Sequence, residues 1–121
     1  MKNIVTGTDM KKVDSYTINT IGIPSLVLME RAALSVAETV CKNQLKDKKI
    51  LVVAGVGNNG ADGVAICRIL HLKGYNTELY ILGDISKAST EFKQQLSIAH
   101  NIGINIVGDY NDEDVIIDSI F

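Results

Sequence analysis

A run of apolar residues followed at once by a glycine-rich stretch constrains the fold of this chain more than any other feature. The run covers Ile50 to Ala54, and its lack of polar alternation predicts a parallel strand that is buried on both faces. The next residues, Gly55 to Gly60, fit G-x-G-x-x-G and predict a turn, and the apolar spacing from Asp62 to Lys73 predicts a helix that ends at Gly74. Together these segments predict a βα unit.

The same alternation of strands and helices continues along the chain. We predict strands over Thr77 to Leu82, Ile104 to Val107 and Val115 to Asp118, and a helix over Ser89 to His100 that closes near Gly103. Strands that alternate with helices of this length require crossover connections. The fold class is therefore α/β with a parallel, doubly wound sheet.

Two helices are predicted before the first strand. The first covers Asp9 to Thr20, and the second begins near Pro24 and covers Ser25 to about Gln44. The second helix carries a broad apolar stripe that must be buried. The small residues of this stripe allow close approach of either the sheet or a second subunit, and they are Ala32, Ala33 and Ala37.

Charge and hydropathy exclude several classes of partner. Twelve Lys and Arg residues against 14 Asp and Glu residues give a net charge of −2, which provides no clustered positive charge for nucleic acid or an anionic membrane surface. No apolar stretch approaches the roughly 18 residues of a membrane span, and the amino terminus lacks the apolar core of a secretory signal. We therefore expect a cytoplasmic protein, in which Cys41 and Cys67 are buried free thiols.

The last predicted strand lies directly before the final residue, Phe121. A strand of this fully apolar type needs a covering layer, so we expect its side chains to be exposed or to be covered by something outside this sequence. The side chains concerned are Val115, Ile116, Ile117 and Ile120. We infer either a truncated chain or a shortened protein that closes its sheet by self-association.

The glycine-rich turn and the start of the following helix form the first candidate site. Glycines there let the backbone approach a ligand, and a helix start presents free N–H groups, so the turn either binds a nucleotide-like ligand or is a plain tight turn. Asp62 either caps the helix dipole in the first turn or interacts with ligand hydroxyls or a cation. Asn58 and Asn59 favour the second interpretation, because both carry a hard carbonyl oxygen that alkali and alkaline-earth cations prefer.

A second acidic residue, Asp118, lies at the carboxyl end of the last predicted strand. In open parallel sheets ligands bind outside this edge, so Asp118 is expected to converge with the asparagine pair. Asp84 follows the second strand of the sheet and is either the ribose-binding acid of an ordinary NAD site or a solvated turn residue. His71 and His100 fall on helices away from this edge and are expected to have surface or packing roles.

Three segments give the chain a resemblance to a known family. Pro24 to Ala33, Val53 to Gly63 and Val115 to Phe121 are similar, in order, to three successive signatures of the YjeF N-terminal domain family, the NAD(P)HX epimerases. The resemblance implies that residues 1–121 form the N-terminal part of such a domain. It also implies a Rossmann-like, three-layer αβα fold, here truncated after about the fourth strand, with two N-terminal helices.

The family resemblance also implies a function. Its members interconvert the R and S epimers of hydrated NADH or NADPH in nicotinamide nucleotide repair, often as homodimers, so that a partner NAD(P)HX dehydratase can restore the cofactor. Position by position, the resemblance assigns substrate binding to Asn58, Asn59, Gly60, Ala61 and Asp62, and potassium binding to Asn59 and Asp118.

The sequence departs from the family pattern at three places. Ala61 and Ala33 stand where the family usually or frequently has glycine. The later glycine-rich segment and the further acidic and hydroxyl ligands have no counterpart after Phe121. We therefore expect the 121 residues alone to be inactive or feeble, because a site with part of its shell missing loses orientation as well as binding energy.

The chemistry at C6 of the hydrated ring requires one acid or base group and an oriented ring. Proton transfer to or from the C6 hydroxyl can open or ionise this carbon, and the hydroxyl can then return on the opposite face. We assign this proton transfer to Asp118, with Asp62 second, although the roles of Asp118 as base and as metal ligand compete. Two alternatives stay open: a plain dinucleotide-binding module that uses Asp84, and a silent dimerisation module that uses the small-residue stripe.

Overall fold

Helices and strands alternate along the residues that the structure, a computed structural model, describes, which are 24–109 and 113–120. The elements are α1 (Ser25–Lys42), β1 (Lys49–Ala54), α2 (Asn58–Leu72), β2 (Asn76–Ile81), a short 3-10 helix (Ile85–Lys87), α3 (Thr90–Asn101), β3 (Asn105–Val107) and β4 (Val115–Ser119). This order confirms the predicted α/β fold. The helix predicted over Asp9 to Thr20 lies outside the described residues. No helix in the described ranges is long and apolar enough to cross a membrane.

The four strands form one parallel sheet in the order β3-β2-β1-β4. Val52 of β1 is in register with Leu79 on one side and with Ile117 on the other. The chain therefore runs outwards from β1 through β2 to β3 and then returns to the opposite side of β1. This reversal creates a switch point at the carboxyl ends of β1 and β4, which is where open α/β sheets bind ligands.

The three described helices pack on one face of the sheet. Crossovers between parallel strands are almost always right-handed, which places α2 and α3 on the same side. The main core cluster contains side chains from all three helices together with Ile50, Val52 and Ala54 of β1. The alternate residues Leu51 and Val53 face the other way and form a second cluster with Ile116 of β4. The described residues thus form a Rossmann-like arrangement in which three helices cover one face of a parallel, four-stranded sheet.

Helix α1 uses its small residues for packing inside the chain. Ala33 and Ala37 are fully buried in the core cluster, so they are not available to a second subunit. Cys41 is the fourth residue of a row spaced by four that begins at Met29 and continues through Ala33 and Ala37. A spacing of four drifts by about 40° per step around a helix, so Cys41 lies about 120° from Met29. This drift explains why Cys41 is exposed and the prediction of a buried thiol is wrong there, whereas Cys67 is buried as predicted.

Strand β4 is covered within the chain. Val115, Ile116 and Ile117 are at most 9% exposed, and the first and third of these belong to the core cluster beneath the helices. Of the four side chains expected to be exposed or covered from outside, only Ile120 is exposed, at 40%. The expectation of an uncovered last strand was therefore wrong for the three residues inside β4.

Candidate functional site

The glycine-rich stretch ends earlier than predicted, because α2 begins at Asn58 rather than at Asp62. Gly57 has extended backbone angles (φ −90°, ψ −164°) and occupies the N-cap position, and the N–H of Ala61 donates to its carbonyl at 3.0 Å. Asp62 is thus the fifth residue of the helix, and α2 has no acidic residue in its first turn. The interpretation of Asp62 as a first-turn dipole cap is therefore wrong.

Two glycines allow the turn to fold tightly on itself and on the end of β4. A Cβ atom on Gly60 would lie 1.7 Å from the carbonyl oxygen of Gly55, and a Cβ atom on Gly55 would lie 2.3 Å from the carbonyl oxygen of Ile120. The N–H of Gly55 also donates to the carbonyl of Ser119 at 3.1 Å. The backbone of the turn and the carboxyl end of β4 therefore lie side by side.

A contact between Gly63 and Ser119, which the sequence analysis did not single out, holds α2 against β4. A Cβ atom on Gly63 would lie 1.8 Å from the hydroxyl oxygen of Ser119 and 2.7 Å from its Cβ. Ser119 is fully buried, and its hydroxyl donates to the carbonyl of Val53 at 2.9 Å. The signal in the sequence was the glycine at position 63, because a glycine inside a helix usually marks a close approach.

The predicted substrate-binding residues differ in their exposure. Asn58 is exposed at the start of α2, whereas Asn59 and Asp62 are buried, at 7% and 3% exposure. Asp62 also interacts with neighbouring groups. The methyl group of Ala61 is fully buried in the core cluster, so it does not add bulk beside a ligand, and Ala61 can reach a ligand only through its backbone.

Asp118 lies on the face of the sheet opposite to the helices. It is in register with Val53 and two residues after Ile116, and both of these side chains belong to the second cluster. Asp118 is partly buried, and its Oδ1 accepts a hydrogen bond from the N–H of Ile120 at 3.1 Å. Since α2 carries Asp62 on the other face, a ligand that contacts both carboxylates must lie over the carboxyl edge of the sheet.

Asp84 is an exposed residue in the segment after β2. Its Oδ1 accepts hydrogen bonds from the N–H of Ser86 at 3.0 Å and from the hydroxyl of Ser86 at 2.7 Å. These bonds stabilise the carboxylate and lower the pKa of Asp84 below its ordinary value. Asp84 therefore carries a negative charge at the same edge of the sheet as the glycine-rich turn.

The other nucleophilic and titratable groups considered lie away from this edge. His71 is near the end of α2, with Nε2 3.1 Å from the carbonyl oxygen of Ile102, and His100 is in the last turn of α3. Burial raises the pKa of the Cys67 thiol to about 12, so this thiol is protonated at neutral pH. Within the described ranges, no group of three or more His, Cys, Asp or Glu side chains could hold a metal ion.

A separate groove runs across the outer surface of the three helices. Its charged centre is the guanidinium of Arg68, which forms an ion pair with Glu30 and lies 3.4 Å from the side-chain oxygen of Gln95. None of the predicted site residues lines this groove. Glu30 thus balances the charge of Arg68, and a second arginine, Arg31, also lines the groove.

Comparisons with known proteins identify a family and several relatives of this chain. The family described as YjeF-related protein N-terminus matches residues 25–121. A protein of Leuconostoc gelidum subsp. gasicomitatum named NAD(P)H-hydrate epimerase is 46% identical over 120 residues, which cover 98% of this chain and 54% of the relative. A protein of Oenococcus oeni with the same name is 47% identical over 112 residues, covering 89% of this chain and 53% of the relative.

A solved structure shares the fold. The crystal structure of the yeast protein ynu0, YNL200c, has a TM-score of 0.75 and 28% sequence identity, and the match covers 98% of this chain and 56% of the yeast chain. The present chain thus spans about half the length of the relatives that it matches.

Proposed function

The chain belongs to the YjeF-related protein N-terminus family, and from this membership we propose that it forms the N-terminal part of an NAD(P)H-hydrate epimerase domain. The proposed reaction interconverts the R and S epimers of hydrated NADH or NADPH. The relatives that carry this name are nearly twice as long as the present chain, so we expect the 121 residues alone to have little activity.

The observation that carries this proposal is the position of the glycine-rich turn at the switch point of the sheet. The turn follows β1, and its backbone lies against the end of β4 through the hydrogen bond from Gly55 to Ser119. The N-cap residue of α2 is Gly57, which makes no side-chain cap, so the N–H groups of the first helical turn can bind phosphate oxygens. A nucleotide bound there would extend along the carboxyl edge towards Asp118.

The proposed chemical step is a proton transfer at the C6 hydroxyl of the hydrated nicotinamide ring. Asp118 suits this role better than Asp62, because it is partly exposed at the strand end whereas Asp62 is only 3% exposed. The hydrogen bond from the N–H of Ile120 restricts the orientation of the Asp118 carboxylate. A restricted carboxylate can accept the hydroxyl proton as the C6–O double bond forms and the C6–N1 electron pair moves onto N1, where conjugation with the carboxamide delocalises it. The same carboxylate returns the proton to the oxygen when N1 closes the ring on the other face of C6.

Potassium is the proposed cofactor. Asn59 supplies a carboxamide oxygen and Asp118 a carboxylate oxygen, and hard oxygen donors of this kind fit an alkali cation. Asn59 is 7% exposed and would hold the cation from the side of α2. The bound cation would offset part of the negative charge of the diphosphate, and the residues of the chain would still carry out the proton transfer.

The experiment that tests the proposal compares Asp118→Asn with wild type at the natural full length of the protein. Epimerisation of purified S-NADHX to R-NADHX is followed by chromatography or NMR. Loss of a general acid or base should reduce turnover by about 10²- to 10⁴-fold, with an unchanged circular dichroism spectrum. The matched control is Asp47→Asn, an exposed carboxylate before the amino end of β1, which should keep the wild-type rate. Near-normal turnover of Asp118→Asn would reject the assignment.

The plain dinucleotide-binding module is the second candidate, and the position of Asp84 after β2 favours it. Such a module should bind intact NAD⁺ at least as well as hydrated NADH, without a difference between potassium and lithium. An epimerase should instead bind the hydrated form more tightly and require potassium. Calorimetric titration with both nucleotides in both salts separates the two candidates.

Assembly and setting are also proposals. We expect a homodimer in the cytoplasm, working together with an NAD(P)HX dehydratase that consumes one epimer. Ala33 and Ala37 of α1 are buried within the chain, so a second copy would have to contact another surface. Sedimentation at several concentrations tests the dimer, and a strictly monomeric species would contradict it.

A further inference from the structure

Helix α1 carries a second row of residues that faces away from the core. Its members recur at spacings of three and four and share an arc of about 100° on the helix, and they are Val27, Glu30, Arg31 and Leu34. Val27 and Leu34 are 48% and 43% exposed, and Arg31 is exposed as well. We call these four residues the outer stripe.

Exposed apolar side chains are concentrated at this stripe. Of the eight large apolar side chains that are at least 40% exposed in the described ranges, three lie on α1, namely Leu26, Val27 and Leu34. Leu26 and Val27 also line the groove beside Arg68, which has a volume of about 590 Å³ and extends to Ile98 of α3. One exposed leucine needs no explanation, but a cluster bordered by charged residues is typical of a protein interface.

The two charged residues of the outer stripe are adjacent in sequence and opposite in sign. Glu30 contacts Arg68 through Oε1, and no hydrogen bond from a described residue reaches its Oε2. Arg31 forms no ion pair with any residue that the structure describes. The stripe therefore offers a carboxylate oxygen and a guanidinium to a partner, and a matching partner must carry the opposite charges in the same order.

A second copy of the stripe, running in the opposite direction, meets this requirement. In an antiparallel pair of α1 helices, a twofold axis between residues 30 and 31 places Val27 of each copy opposite Leu34 of the other, and Glu30 opposite Arg31. We propose that the outer stripe is a self-complementary interface that binds a second copy of this chain through antiparallel α1 helices. The inference rests on the homodimer proposed above and identifies its surface.

The charges select this arrangement among the possible pairings of two α1 helices. A parallel pair would bring like charges together, because each residue would face its own counterpart. A shift of the antiparallel pair by one turn would place Arg31 against Leu34 of the other copy. The apolar contacts supply most of the affinity, since the twofold axis removes two nearly half-exposed Val27 side chains and two such Leu34 side chains from water.

Sedimentation of the protein at its natural full length measures the dissociation constant of the dimer. Leu34→Lys and Val27→Glu each place a charge against an apolar side chain at two symmetric positions, so each should raise this constant at least about 100-fold. Both positions are exposed, so the circular dichroism spectrum should not change. Leu72→Lys, the same substitution at a leucine that is 66% exposed at the end of α2, is the matched control and should keep the wild-type constant.

An equimolar mixture of the two variants tests the register directly. In a mixed dimer, the lysine introduced at position 34 of one copy faces the glutamate introduced at position 27 of the other. The second contact keeps its original Val27 and Leu34. The mixture should therefore form dimers at concentrations at which each variant alone is monomeric.

A mixture that stays monomeric, or single variants with the wild-type dissociation constant, would overturn the inference and leave a homodimer through another surface. A monomeric wild type would overturn the inference and the homodimer together, and would mean that a different partner covers the stripe. Sedimentation does not depend on epimerisation. A dimer with the predicted behaviour but without turnover of hydrated NADH would therefore refute the proposed reaction and keep the interface.

Discussion

Replacing Gly63 by alanine should destabilise the protein even though alanine is the better helix former. In an open helical position, Gly→Ala stabilises a helix by about 1 kcal/mol. Here the new methyl group would lie 1.8 Å from the hydroxyl oxygen of Ser119 and 2.7 Å from its Cβ, so rotation of the hydroxyl alone does not make room. Overpacking of this kind costs about 3 kcal/mol at its upper end, which leaves a net loss of about 2 kcal/mol.

The origin of this loss can be isolated with a second substitution, Ser119→Gly. Alone, it removes the buried hydrogen bond to Val53 and places a glycine in a strand, which together cost about 2 kcal/mol. In the double variant the methyl group introduced at position 63 meets no serine, and its next neighbour is a methyl group of Val52 at 3.3 Å. The double variant should therefore lose only about 1 kcal/mol, against about 4 for simple addition.

Urea denaturation of the four proteins measures these free energies. Gly57→Ala is the matched control from the same motif, because a Cβ atom there would have no neighbour within 4 Å, and it should change the stability by no more than about 0.5 kcal/mol. Should Gly63→Ala prove as stable as wild type or more so, helix propensity would outweigh the contact. The close approach of α2 to β4 described above would then be refuted.

Two further predictions concern the thiols and the cation. Because burial raises the pKa of the folded Cys67 thiol from 9.0 to about 12, the thiol of the unfolded chain ionises at a lower pH than that of the folded protein. The free energy of unfolding is therefore unaffected by this thiol below pH 9.0 and falls by about 1.4 kcal/mol per pH unit between pH 9.0 and pH 12. This decrease in stability with pH should be missing in Cys67→Ala. A thiol reagent should modify Cys41 quickly and Cys67 only on unfolding, and equal rates of modification of the two thiols in the folded protein would contradict the burial of Cys67. Replacing potassium by lithium should lower epimerisation several-fold in wild type but not in Asn59→Ala, and equal rates in both salts would exclude the cation.

The sequence predicts the sheet well because its strands carry an unusually plain signal. The continuous apolar run that became β1 and the isoleucine-rich run that became β4 are both buried, and the glycine after α2 has the positive φ of +88° that ends a helix. These features depend on local residue type and burial alone. They also suffice to place Asp118 at a strand end.

The predicted start of α2 was wrong by four residues for a reason that lies outside local preference. Asparagine and glycine are weak helix formers, so the pattern of Asn58 to Gly60 is typical of a turn. In the structure the helix continues through them because Gly60 packs against the carbonyl of Gly55. Such a contact between segments leaves no periodic pattern in the sequence.

The relation between the two carboxylates could not be predicted from the sequence either. The position of Asp118 near the end of its strand places it at the carboxyl edge of the sheet. The face on which its side chain lies depends on the register between β4 and β1, and this register is known only from the pairing of Asp118 with Val53 in the structure. Nothing in the residue pattern indicates that Ser119, rather than Asp118, faces α2.

The most direct test of the account is a crystal structure of the full-length protein with bound hydrated NADH, collected with rubidium in place of potassium so that the cation is identified by its anomalous signal. We predict the diphosphate at the start of α2, the nicotinamide C6 hydroxyl within hydrogen-bond distance of Asp118, and the rubidium ion bound by Asn59. A nucleotide bound elsewhere, such as in the groove beside Arg68, or one that contacts neither Asn59 nor Asp118, would contradict it.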